Sequence, residues 1–76
     1  MLDTDALDAL ETIGARVYLL EDAPESIRRY AGPDDVDYIV LTPNVALQVV
    51  AEFFPHACEI TYDATDEGVV CVVYHA

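Results

Sequence analysis

Four side chains of metal-binding and nucleophilic type stand in the last third of the chain: His56, Cys58, Cys71 and His75. Two cysteines and two histidines are the ligand types that zinc takes. The spacing is unusual, His-x-Cys followed by twelve residues and then Cys-x-x-x-His. A hairpin turning at Thr65 to Gly68 would pair Ala64 with Val69, Tyr62 with Cys71, and Cys58 with His75. Cys71 and His75 then stand four strand residues apart, about 13 Å, too far for one ion with bonds of roughly 2 Å. The set that survives this test is a metal site of His56, Cys58 and His75.

The same register disfavours a disulfide between Cys58 and Cys71, because their Cα atoms would exceed the ~7 Å limit. It does bring Cys58 beside His75, the pairing that a thiolate nucleophile with a histidine base requires. That chemistry needs a lowered thiol pKa, and the acidic surroundings push the other way. Cys71 reads as a small apolar core residue.

A second constellation is Glu21, Asp22, Thr42 and Asn44. If the first two strands run parallel, these residues gather at one edge, beyond the strand C-termini and beside a helix start. Ligands of open α/β sheets bind there. Two carboxylates and two neutral oxygens suit a hard divalent cation, and plain capping and turn chemistry accounts for the same residues. Asp34, Asp35 and Asp37 lack the register of a calcium loop and read as a solvated acidic turn.

The elements that position these groups follow from hydrophobic pattern. Residues 3 to 13 form an amphipathic helix: Leu2, Ala6, Leu7, Leu10 and Ile13 keep helical spacing, and Gly14 ends it. Arg16 to Glu21 is a first strand. A short helix over 24–31 follows, with Asp22 as cap and Gly32-Pro33 as stop. Val36 leads into Tyr38-Ile39-Val40-Leu41, an apolar run suited to a strand covered on both faces. Thr42 caps a central helix, Pro43 takes its first position, and Val45 to Phe54 are apolar except for Gln48 and Glu52. Such a helix is buried on most of its circumference. Cys58 to Ala64 alternates as an edge strand does, and Val69 to His75 is apolar on both faces as a central strand is.

These elements predict one α/β (α+β) domain over residues 1–76, in the order α-β-α-β-α-β-β. The strand–helix–strand opening suggests a parallel crossover. The expected architecture is therefore a four-stranded mixed sheet with three helices and a C-terminal hairpin.

Charge narrows the setting. Fifteen acidic residues against three arginines and no lysine give a net charge of −12. Self-repulsion of that size destabilises a compact chain at low salt, and molar salt, with a Debye length of about 3 Å, screens it. In this acidic, lysine-free yet well-patterned composition the chain resembles the small uncharacterised acidic proteins of halophilic archaea. The resemblance is compositional, spans the whole chain and rests on no motif. It implies an intracellular, high-salt setting and no particular activity.

Three arginines do not build the basic face that nucleic acid requires. No apolar run reaches the ~20 residues of a membrane span, and the acidic start Met1-Leu2-Asp3-Thr4-Asp5 lacks a signal peptide's basic region. A cytoplasmic location follows as the expectation. A chain of this size buries only about 60% of its unfolded surface, so apolar surface is left over for another chain. The expected function is a non-enzymatic interaction or accessory module acting as a homodimer, or with another protein, and without a cofactor. The alternative is a small-ligand or cation-binding protein using Glu21, Asp22, Thr42 and Asn44.

Overall fold

The computed structural model describes residues 2–32 and 35–75. Pro33 and Asp34, part of the helix stop and of the acidic turn, lie outside the described residues. The first helix, α1 (Thr4–Thr12), begins where Asp3 accepts a hydrogen bond from the Ala6 N–H at 2.8 Å. It ends in a Schellman pair: Gly14 N–H donates to the Glu11 carbonyl and Ala15 N–H to the Leu10 carbonyl. Gly14 carries φ +91°, the left-handed geometry this motif asks of glycine.

The first strand, β1, is shorter than the pattern predicts, Arg16–Tyr18. Leu20–Asp22 winds into a 3-10 turn instead of continuing the ladder, so Asp22 does not cap the short helix α2 (Glu25–Arg28). Strand β2 (Val36–Thr42) follows, then a 3-10 turn Asn44–Ala46 and helix α3 (Leu47–Glu52). The expected cap at Thr42 does not form. Thr42 still pairs with Val69 in the ladder, which holds its backbone extended, and Pro43 is extended too. The central helix therefore starts later than its apolar run.

Strands β3 (Glu59–Thr65) and β4 (Gly68–Tyr74) close the chain as a hairpin. Ala64 pairs with Val69 and Tyr62 with Cys71, the register read from the turn. Gly68 is required at that turn. Its φ is +138°, and a Cβ there would stand 2.7 Å from the Thr42 carbonyl oxygen.

The sheet has four strands in the order β1-β2-β4-β3, every pair antiparallel. It is not mixed, and β1 and β2 are not joined by a parallel crossover. A crossover must carry the chain back along the sheet, and α2 with four residues spans only about 6 Å. The parallel relation lies elsewhere. Both β2 and β3 run against β4, so the strands that flank it are parallel to each other, with α3 between them in sequence.

Two apolar layers hold this sheet. On one face Leu10, Ala15, Val40, Val50, Val69, Cys71 and Val73 pack together beneath α1 and α3. On the other, Ile39, Val70, Val72 and Tyr74 meet Ala23 and Ile27 from the α2 side. Truncating a fully buried member such as Leu10 or Ile39 to alanine costs about 2–5 kcal/mol. The 3-10 turn Asn44–Ala46 and helix α3 together form an outer layer, so only their inward positions are covered. Ala46 and Val50 are buried, while Val45 is 94% exposed and Gln48, Val49 and Glu52 are exposed. This corrects the expectation of a helix buried most of the way round.

Candidate functional site

The one irregularity in the sheet creates its most distinctive side-chain pair. Val36 pairs with Tyr74 and Tyr38 with Val73, so Asp37 is an extra residue bulged out of β2. A bulge re-aims the side chain it carries. Here the Asp37 carboxylate meets His75 Nδ1 at 3.1 Å, at the point where β4 ends. The His75 N–H donates to the Asp35 carbonyl at 2.8 Å and continues the ladder past the bulge. Among the described residues the Asp37–His75 contact is the only one of ion-pair geometry, and it carries opposite charges only when His75 is protonated. Both side chains are solvent-exposed, so the pair is worth at most about 1 kcal/mol to the fold.

This pair helps to line a groove of about 270 Å³ of mixed character, in which Asp37, His56 and His75 stand beside Tyr38, Phe53 and Phe54. The Tyr38 and Phe54 rings lie 5.7 Å apart and tilted. The Leu2 N–H donates to the Tyr38 hydroxyl at 3.0 Å and ties the chain start to the same wall. With Nδ1 held by Asp37, His75 keeps Nε2 for one further hydrogen bond. Cys58 does not line this groove, so it gives no support to a Cys58–His75 nucleophile pair.

The metal set does not assemble. Cys58 lies one residue before β3 and is exposed, next to the strand end where His75 turns to Asp37. Among the described residues no three His, Cys, Asp or Glu side chains come together to hold an ion, His56, Cys58 and His75 included. Both cysteines are free thiols. Cys71 lies in the core, and burial pushes its pKa from 9.0 up to about 11, the opposite of nucleophile activation.

The four residues expected at one sheet edge are split between two ends. Because β1 is antiparallel to β2, Arg16 faces Leu41 and Tyr18 faces Ile39. The 3-10 turn after β1 thus lies toward the start of β2, and Thr42 closes its far end. Glu21 lines an open cleft with Arg28, Val36 and Asp37, while Asp22 faces a different hollow with Leu7 and Tyr38. Thr42 is 1% exposed, and its hydroxyl donates to the Pro43 carbonyl. Asn44 is exposed on the turn before α3. The alternative that needed Glu21, Asp22, Thr42 and Asn44 together has no common site.

A different surface remains open. β3 pairs only with β4, so its outer edge carries seven residues without a neighbouring strand among the described residues. On the α1/α3 face of this strand Tyr62 is 48% exposed. On the opposite face the Thr61 hydroxyl is buried and has no hydrogen-bond partner among the described residues. Sequence alternation identified the edge strand. The bulge at Asp37 was missed, and its one signal was an aspartate next to an apolar strand that ends level with a histidine.

Comparison with protein-family models, with curated proteins and with solved structures finds no match to this chain.

Proposed function

We propose that this protein is a non-enzymatic interaction or accessory module of a high-salt cytoplasm and that it works as a homodimer. The observation that carries the reading is apolar surface left in water. Leu19, Leu20, Val45, Val49 and Tyr62 are each more than a third exposed on a chain of only 76 residues. Val45 and Val49 share the outward side of the central helix segment with Gln48 and Glu52.

The charge supports the setting. At −12, with no Arg–carboxylate ion pair among the described residues, screening of the repulsion falls to dissolved salt. The same charge argues against nucleic acid as a partner. No helix is long and apolar enough to cross a membrane among the described residues.

Purification from a lysate kept at molar potassium chloride tests the reading. The protein is expected to emerge as a two-copy assembly. A monomer with no bound protein at any salt concentration would contradict the proposal.

A further inference from the structure

We propose that two copies of this chain join antiparallel along the open edge of β3, about a two-fold axis through Tyr62, into one continuous eight-stranded sheet. The inference rests on the homodimer reading and names its seam.

The argument is one of register. A two-fold axis normal to the sheet keeps each face on its own side, so only pairings between residues of like orientation are allowed. With Tyr62 on the axis, all seven residues of β3 find partners, because Tyr62 is the midpoint of Glu59–Thr65. Glu59 then faces Thr65 of the second copy, Ile60 faces Ala64, and Thr61 faces Asp63. No charge opposes its like.

The neighbouring registers fail. Centring on Thr61 sets Glu59 against Asp63, centring on Asp63 sets that residue against itself, and centring on Ile60 leaves Tyr62 to Thr65 beyond the strand. Like charges directly opposite are destabilising. The Tyr62 register is thus the one that pairs the whole of β3 with no like charges opposed.

Two independent features of β3 fit that register. Tyr62 is the exposed aromatic of the strand, and the axis sets it against its own copy, a favourable cross-strand pair. Thr61 carries the unpartnered buried hydroxyl, and the register sets a carboxylate opposite it on the same face. Asp63 and its symmetry mate then sit diagonally, about 7–8 Å apart, a repulsion that molar salt screens. The dimer should therefore tighten as potassium chloride rises.

Two variants test it in 2 M potassium chloride. In a Cys58→Ser background, Tyr62→Cys is expected to form a disulfide-linked dimer with oxidised glutathione. Ala64→Cys, whose counterpart is Ile60, is expected to stay unlinked. Linking through position 64 and not 62 overturns the register. Separately, Tyr62→Lys removes the cross-axis tyrosine pair and is expected to weaken the dimer by about tenfold, although it reduces the net negative charge. Val49→Lys makes the same charge change on α3 and should leave the dimer intact. A dimer lost with Val49→Lys and kept with Tyr62→Lys overturns the seam and leaves the homodimer standing. A wild-type monomer overturns both.

Discussion

β3 and β4 are the two arms of one hairpin, each seven residues long, in opposite surroundings. β4 lies between two strands, and Val69 to Tyr74 are all buried. β3 has a strand on one side only and is nowhere fully buried. The composition of each arm matches its place: β4 is apolar on both faces, while β3 alternates apolar and polar residues. Buried apolar area is concentrated in β4, and an open strand edge is left on β3. A side chain's effect should therefore depend on which arm carries it.

The largest effect is expected on β4. Val72 is wholly buried, and Val72→Asp would place an unpaired charge there, costing about 4 kcal/mol or more. Circular dichroism in 2 M potassium chloride should show an unfolded chain, whereas Tyr62→Lys on β3 should remain folded. Folded Val72→Asp would break the contrast.

A smaller effect separates the cysteines. The pKa of Cys71 is raised in the folded state, from 9.0 to about 11. The stability linked to its neutral thiol is thus complete below pH 9 and is lost as pH climbs towards 11. The loss should be on the order of 2 kcal/mol and should vanish in Cys71→Val. Urea denaturation of both proteins at pH 7 and 10.5 measures it. At pH 8 a thiol reagent should label the exposed Cys58 at once and Cys71 only on unfolding.

The smallest effect sharpens the contrast within β3. Thr61→Val removes a hydroxyl that has no partner within the described chain, so monomer stability should stay within about 0.5 kcal/mol of wild type or rise. The proposed dimer should weaken by a few-fold, since its register sets Asp63 of one copy against Thr61 of the other. A threonine that stabilises the monomer, with no effect on association, would remove the hydroxyl from the argument.

What was legible in the sequence is local. Asp3 and Gly14 bound α1, alternation marked β3 as an edge, the doubly apolar run marked β4 as central, and the turn at Thr65 to Gly68 set their register. Strand direction was not legible, because an apolar run has the same pattern whichever way its neighbour runs. That one inversion, β1 against β2, separated Glu21 and Asp22 from Thr42 and Asn44. The late start of α3 was hidden too: Thr42 and Pro43 make good helix-start chemistry, but ladder pairing with Val69 outweighs it. The Asp37 bulge depends on pairing with β4, which lies more than thirty residues away in the chain.

The most direct measurement is the mass of the protein in solution, by light scattering on a sizing column across a potassium chloride series. The account predicts twice the 8.4 kDa of one chain at molar salt, falling towards a single chain as salt is withdrawn. A mass of one chain throughout, with the fold intact, would contradict it.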